Sequence, residues 1–132
     1  MAYILAVGLG GFVGAVSRYA ITGWVQKAWP QFPPAGTLVV NVLGCLVIGF
    51  LMTLVIDQPA DGQQAWMSHS VRLFLITGIL GSLTTFSAFG YETVELLREE
   101  EIRLAFWNVL ANVGLGFPAV WLGRILARAV GL

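Results

Sequence analysis

The sequence predicts an all-α membrane protein with four transmembrane helices. Four stretches have the length of a bilayer crossing and, apart from Arg18 in the first, no charged residue: residues 3–25, 38–56, 73–91 and 104–123. About 20 apolar residues at a rise of about 1.5 Å per residue cross a hydrocarbon core of about 30 Å. The composition agrees, since 58% of the residues are hydrophobic and 11% are charged, against about 25% charged in soluble domains. We expect one membrane domain over residues 1–132, with helices over about 3–25, 37–56, 71–97 and 103–127.

The first helix is expected to end in a proline-rich connection. Residues 26–36 contain three prolines, which break helices, and tryptophans lie beside them, as is typical of membrane interfaces. No basic region precedes the first apolar run, and three further spans follow it. We therefore expect this run to stay in the protein as a helix and not to be removed as a signal.

A polar connection over residues 57–69 is expected to join the second and third helices. His69 in this connection has no Cys, Asp or Glu at ligand spacing, so we interpret it as an interfacial residue and not as a metal ligand. Cys45 lies among Leu and Gly in the second span and is expected to act as a small apolar residue. The charged run at residues 95–103 is expected to extend the third helix towards the fourth.

Glycine accounts for 16 residues, several of them spaced for helix packing. Gly10 and Gly14, like Gly78 and Gly81, recur on one side of a helix, and small residues let transmembrane helices approach each other closely. A subunit of four helices is too thin to enclose a wide pore. Conduction would therefore have to occur at a subunit interface or through a narrow file of polar side chains.

The basic residues outside the spans are balanced across the membrane. Four spans place both termini and the second connection on one side, with Arg72, Arg124 and Arg128, while Lys27, Arg98 and Arg103 lie on the other. With three basic residues on each side, the positive-inside rule favours neither orientation, so the chain is expected to insert in both orientations. The two orientations would then pair as an antiparallel homodimer with its two-fold axis in the membrane plane. The alternative is one orientation selected by lipid asymmetry or by Arg18, and the charge count leaves both open.

The third span is interrupted by small and polar residues near mid-membrane. Residues 81–93 contain two glycines, two serines and three threonines within a mainly apolar span. Ser, Thr and Gly favour a local break, which would expose backbone carbonyls that need a partner, either a cation or a polar cavity. The alternative is an unbroken helix with a small-residue packing face, and the residues alone leave both open.

Three asparagines within the spans are candidates for an anion pathway. Asn41 lies in the second span, and Asn108 and Asn112 lie one turn apart in the fourth. Their NH₂ groups are uncharged donors, which suit a desolvated anion because a fixed cation would hold it too tightly. Phe86 and Phe89 share a helix face, and their electropositive ring edges would also face an anion. The alternatives are hydrogen bonds between helices for the asparagines and simple packing for the rings.

With these motifs the chain resembles the small bacterial fluoride channels of the Fluc or CrcB family. The resemblance covers essentially the whole sequence and rests on three patterns. They are Gly-Gly-x-x-Gly-Ala-x-x-Arg-Tyr at residues 10–19, Gly36-Thr37-Leu38 followed by Asn41 and Gly44, and the highly specific Thr-Thr-Phe-Ser-x-Phe core at residues 84–89.

The resemblance implies an antiparallel, dual-topology homodimer with two fluoride pores built from both subunits and a structural sodium ion at its centre. The resemblance implies Asn41, Phe86 and Phe89 as pore residues, and we expect the hydrogen-bonding residues Ser87, Asn108 and Asn112 to line the pore with them. Arg18 corresponds to the arginine of the vestibule, where it would raise the local anion concentration. The backbone carbonyls of Gly81 and Thr84 correspond to the sodium ligands.

Two features depart from the family pattern. The family commonly has Tyr followed four residues later by Ser in the fourth span, where this chain has Asn108 and Asn112. Both replacements still form hydrogen bonds. Ala88 occupies a position where a hydroxyl residue is common, so a hydroxyl track would not continue beyond Ser87.

The function that the resemblance implies is passive export of fluoride across the cell (inner) membrane, which limits toxicity in the cytoplasm. HF enters as a neutral acid and dissociates at the higher internal pH, and a channel lets the trapped anion leave. No phosphate-binding loop, nucleophile and base pair or metal cluster in the sequence indicates an enzyme. One alternative is a small multidrug-type dual-topology exporter, which would carry a carboxylate in its first span, where this chain has none. The other is a structural membrane bundle, which would have no use for a broken third span.

Overall fold

The computed structural model describes residues 1–56 and 67–130, and every regular element in this part is helical. The elements are, in order, α1 (Ala2–Ala28), α2 (Ala35–Ile56), α3 (His69–Arg72), a π-helical segment (Leu73–Leu80), α4 (Gly81–Leu83), α5 (Phe86–Arg98) and α6 (Ile102–Ala129). Within the described residues, four stretches are long and apolar enough to cross a bilayer: Ala2–Ala28, Ala35–Val55, His69–Arg98 and Ile102–Ala129. The prediction of an all-α, multi-pass membrane protein with four spans is therefore confirmed. We call His69–Arg98 the third span.

The connection between α1 and α2 contains the three prolines that predicted a break between these helices. The Trp29 N–H closes the last turn of α1 on the Val25 carbonyl oxygen at 2.8 Å, and α2 begins directly after the fully buried Pro34. Residues 57–66 of the predicted connection over residues 57–69 lie outside the described residues. His69 begins α3 and packs edge-to-face on Tyr3, with ring centroids 4.9 Å apart.

At several glycines two helices approach so closely that a Cβ atom would not fit. α2 packs along α6, and α1 packs against the π-helical segment. A Cβ atom at Gly10 or Gly14 would collide with the backbone of residues in the third span, and one at Gly49 would collide with the carbonyl of Val120. The predicted packing role of Gly10 and Gly14 is confirmed, because a side chain at either position would push the two backbones apart.

The third span is not one continuous helix. Its first part ends with α4 at Leu83, and α5 begins at Phe86. Between them, Thr84 has φ −83° and ψ 155°, and Thr85 has φ −154° and ψ 114°, so both residues are extended. The Thr85 Oγ1 accepts a hydrogen bond from the Ala88 N–H at 3.2 Å. Thr85 therefore acts as the N-cap of α5, which favours a helix start at this position.

The charged run at residues 95–103 does not extend the third span as far as predicted. α5 ends at Arg98, and three glutamates form the turn to α6. Glu100 has a φ of 62°, and the Glu101 N–H bonds to the Leu96 carbonyl oxygen at 2.8 Å. This is a common helix-ending motif with one left-handed residue, which cannot continue a right-handed helix. The prediction of a helical extension over the whole run is therefore wrong beyond Arg98.

Candidate functional site

Asn41 on α2 binds both backbone groups of one extended residue in the third span. Its Oδ1 accepts a hydrogen bond from the Thr85 N–H at 2.8 Å, and its Nδ2 donates to the Thr85 carbonyl oxygen at 3.3 Å. In a continuous helix the Thr85 N–H would bond to the carbonyl of Gly81, four residues earlier. The Asn41 side chain therefore replaces a helix hydrogen bond, and the Gly81 carbonyl loses its usual partner.

The carbonyl of Thr84 loses its usual partner in the same way. The Ala88 N–H, which would bond to it in a continuous helix, bonds to the Thr85 Oγ1 instead. The Arg18 guanidinium approaches the Thr84 carbonyl oxygen only to 3.5 Å, which is long for a hydrogen bond. Gly81 and Thr84 therefore present two backbone oxygens of the kind that hard cations prefer.

The three predicted asparagines form one connected cluster. The Asn41 Nδ2 donates to the Asn112 Oδ1 at 3.0 Å, and the Asn112 Nδ2 donates to the side-chain and backbone oxygens of Asn108, each at 3.0 Å. Asn108 is completely buried, and its Nδ2 donates to the Thr93 Oγ1 at 2.9 Å. The structure thus brings the three residues together and directs their donors to each other and to the backbone.

A cavity of about 460 Å³ collects six of the predicted site residues. They are Asn41, Gly81, Thr84, Phe86, Phe89 and Asn112. The ring centroids of Phe86 and Phe89 lie 5.5 Å apart with an angle of 54° between the ring planes, and Phe86 is 82% exposed. We call this the phenylalanine cavity. Asn108 lies outside its lining and supports the cavity only through Asn112.

Arg18 and Ser87 line a second cavity of about 820 Å³, which we call the arginine groove. Ser87 follows Phe86 in the chain but lines a different cavity, because successive residues of an α-helix point about 100° apart. Thr85 lines both cavities, and its Oγ1 lies 3.2 Å from the Ser87 Oγ. The extended Thr85 is therefore the residue at which the two cavities meet.

Thr37 and Glu92 also line the arginine groove and were not predicted as site residues. The Thr37 Oγ1 donates to the Glu92 Oε1 at 2.6 Å. The Glu92 Oε2 is buried and has no hydrogen-bond partner within residues 1–56 and 67–130. A carboxylate one residue beyond a charge-free span was the available signal, because ionisable groups in membrane spans are costly and often functional. Thr37 gave no such signal, since its partner is 55 positions away.

Comparison with known proteins identifies relatives over nearly the whole chain. The family described as "CrcB-like protein, Camphor Resistance (CrcB)" matches residues 5–124. A protein of Clostridium perfringens (strain ATCC 13124) named "Fluoride-specific ion channel FluC" is 44% identical over 124 residues, which cover 94% of this chain and 92% of the relative. A protein of the same name from Sulfurovum sp. (strain NBC37-1) is 46% identical over 95% of this chain and 93% of its own length. Another from Opitutus terrae is 42% identical over 100% of this chain and 96% of its own length. This chain therefore belongs to the CrcB family.

Proposed function

We propose that this protein is a fluoride-specific ion channel that exports fluoride passively and so lowers its concentration and toxicity in the cytoplasm. The observation that carries the proposal is the phenylalanine cavity, which is lined by two phenylalanine rings and two asparagine side chains in a chain whose relatives are named fluoride channels. The function is conduction and not catalysis. Export from the cytoplasm assigns the protein to the cell (inner) membrane.

An anion in the phenylalanine cavity would be stabilised by neutral groups. Phe86 and Phe89 offer the positive edges of their rings, and Asn41 offers amide hydrogens. The bond from the Asn41 Nδ2 to the Thr85 carbonyl is the longest that this side chain makes, at 3.3 Å. This N–H is therefore the donor that fluoride would take over at least cost.

The arginine groove would supply anions to this cavity. Arg18 lies within a membrane span, where its charge is stable only if it faces water or protein, and it lines the groove together with the hydroxyls of Thr37 and Ser87. A fixed positive charge raises the anion concentration near it. Since Thr85 lines both cavities, an anion from the groove would have to move past Thr85 to enter the phenylalanine cavity.

The functional unit in this proposal is an antiparallel homodimer with dual topology. The three-against-three balance of basic residues supports insertion in both orientations. The 82% exposure of Phe86 and the exposed Gly81 support a second copy that covers this surface. An oppositely oriented copy, related by a two-fold axis in the membrane plane, would complete two equivalent pores.

The proposal includes a structural sodium ion between the two subunits. The carbonyls of Gly81 and Thr84 both lose their helix partners, since the Thr85 and Ala88 N–H groups bond elsewhere. The residues present therefore fit a hard monovalent cation, and two copies would contribute four oxygens. When bound, sodium would supply a closer positive partner to both carbonyls than the long contact that Arg18 makes with the Thr84 oxygen.

Fluoride efflux from liposomes that contain the purified protein tests the proposal. We expect release of fluoride at rates far above those of protein-free liposomes, with very little release of chloride under the same gradient. Equal release of both anions would contradict a fluoride-specific channel. Efflux that needs an opposing proton gradient and an organic cation would favour the small multidrug-type exporter, and absence of any flux would favour a structural bundle.

A further inference from the structure

Five hydrogen bonds form one continuous chain that starts and ends on the third span. It passes from the third span to α2, then to α6, and returns to α5. The links are the Thr85 N–H to the Asn41 Oδ1 (2.8 Å), the Asn41 Nδ2 to the Asn112 Oδ1 (3.0 Å), the Asn112 Nδ2 to the Asn108 Oδ1 (3.0 Å), the Asn108 Nδ2 to the Thr93 Oγ1 (2.9 Å) and the Thr93 Oγ1 to the Phe89 carbonyl oxygen (2.7 Å). We call these six residues the amide chain.

The backbone sets the direction of the amide chain at both ends. The Thr85 N–H can only donate, and the Phe89 carbonyl can only accept. The side-chain oxygen of each asparagine must therefore face the Thr85 end of the amide chain, and its nitrogen must face the Phe89 end. Reversal of one amide would place two donors or two acceptors against each other, which is costly in a buried site.

Two members of the amide chain, Asn108 and Thr93, do not line either cavity. Asn41, Asn112 and Phe89 line the phenylalanine cavity, whereas Asn108 and Thr93 lie outside the lining of both cavities described above. Asn108 is completely buried. An effect of Asn108 on an ion in the cavity must therefore pass through Asn112 and Asn41, whereas an effect of Thr93 can pass through these amides or through the Phe89 backbone to which it donates.

We propose that Thr93 and Asn108 are positioning residues of the ion pathway, which fix the orientation of the Asn112 and Asn41 amides from outside the cavity. The Thr93 hydroxyl is the deciding group. Because it donates to the Phe89 carbonyl, it presents a lone pair to Asn108 and requires the nitrogen of that amide to face it. The proposal deepens the proposed function, since it rests on the phenylalanine cavity as the route of fluoride.

Thr93→Val tests the proposal because it keeps the shape of the side chain and removes the hydroxyl. We expect fluoride efflux per dimer to fall by about tenfold, as the buried Asn108 donor loses its acceptor. Thr93→Ser retains the hydroxyl and should keep efflux within about twofold of the unchanged protein. In NMR spectra the side-chain amide resonances of Asn41 and Asn112 should shift in Thr93→Val and return in Thr93→Ser.

Thr53→Val is the matched control. Like the Thr93 hydroxyl, the Thr53 hydroxyl donates to the carbonyl four residues earlier, that of Gly49, at 2.8 Å, but it lies outside the amide chain; Thr53 is buried, whereas Thr93 is half-buried. This variant should leave efflux and the asparagine resonances unchanged. If Thr93→Val fails to assemble, Thr93→Cys, which keeps the volume and a weak acceptor, replaces it and should give an intermediate loss.

The outcomes separate this proposal from the proposed function. Unchanged efflux and unchanged asparagine resonances in an assembled Thr93→Val dimer would overturn the positioning role, and so would an equal loss in Thr53→Val. If the unchanged protein itself conducts no fluoride, the proposed function fails. The NMR comparison would then still test the amide chain, because an unshifted Asn41 resonance in Thr93→Val would refute the coupling by itself.

Discussion

Replacement of Asn41 by Leu or by Asp separates its role in the backbone from its role towards an anion. Asn41 accepts from the Thr85 N–H and donates to the Thr85 carbonyl and to Asn112. Both variants lose the two donated bonds. Only Asp keeps an acceptor for the Thr85 N–H, so Asp should preserve the extended backbone better than Leu, while it adds a negative charge to the cavity lining.

The magnitudes predict which effect dominates. Asn41→Leu loses all three hydrogen bonds, which costs about 1.5–4.5 kcal/mol at about 0.5–1.5 kcal/mol each, so it should lower fluoride efflux by about tenfold to a thousandfold. Asn41→Asp loses two of the three. In Asn41→Asp, a carboxylate about 4 Å from the path of an anion adds repulsion of about 4 kcal/mol at an effective dielectric constant of about 20. This corresponds to about a further thousandfold, so Asp should conduct far less than Leu.

Fluoride efflux measured with an ion-selective electrode, on liposomes with equal amounts of assembled protein, provides the comparison. Size-exclusion chromatography of each variant controls for assembly. If Asn41→Asp conducts as well as Asn41→Leu or better, the side chain serves only to hold the backbone of Thr85. The reasoning that places Asn41 beside the permeating anion would then be refuted.

Four further predictions concern the rings, the topology, the cation and the packing. Phe86→Ile and Phe89→Ile keep apolar bulk but remove the ring edge, so each should lower fluoride efflux by about tenfold with the dimer still assembled; unchanged efflux in both would make the rings packing residues only. Addition of two or three lysines to one side should place all copies in one orientation and abolish efflux unless an oppositely biased copy is co-expressed, and labelling that finds a connection of the unmodified protein on a single face would contradict dual topology. Thr84→Ser should retain sodium because the proposed ligand is a backbone carbonyl, whereas full activity of the protein in sodium-free buffer would speak against a structural ion. Gly49→Ala should destabilise the protein by about 1–3 kcal/mol through overpacking against α6, while Gly8→Ala, which has open space around its Cβ position, should not lower the thermal unfolding temperature in detergent.

The four spans could be predicted from the sequence because crossing a bilayer is a property of local composition. A run of about 20 apolar residues satisfies its backbone within one helix, and no distant contact is needed to identify it. The same holds for Gly10 and Gly14, whose spacing indicates a packing face. Their partners were not predictable, since the collision of a Cβ at Gly14 with the Ile79 backbone depends on which helices lie side by side.

The partners of the polar residues required the tertiary structure. Asn41, Asn108 and Asn112 were predicted as neutral donors, but their sequence positions do not reveal that each donates to the next. Thr93 accepts the hydrogen bond of the Asn108 amide. The sequence shows it only as one more polar residue in a helix, so its role could not be predicted. Glu92 had a signal in its charge, yet its bond to Thr37 joins positions 55 residues apart.

The sequence by itself determined the class of protein and the number of spans, because these follow from hydropathy; for residues 81–93 the local preferences of Gly, Ser and Thr left a broken and an unbroken helix both open. Only the tertiary structure decided that Asn41 takes the hydrogen bond of the Thr85 N–H, and that Ser87 lines a different cavity from Phe86. The physical reason is that hydrogen-bond satisfaction in a membrane interior is a property of neighbouring helices. Which donor meets which acceptor is set by the packing and rotation of those helices, and neither is encoded in any short stretch of the chain.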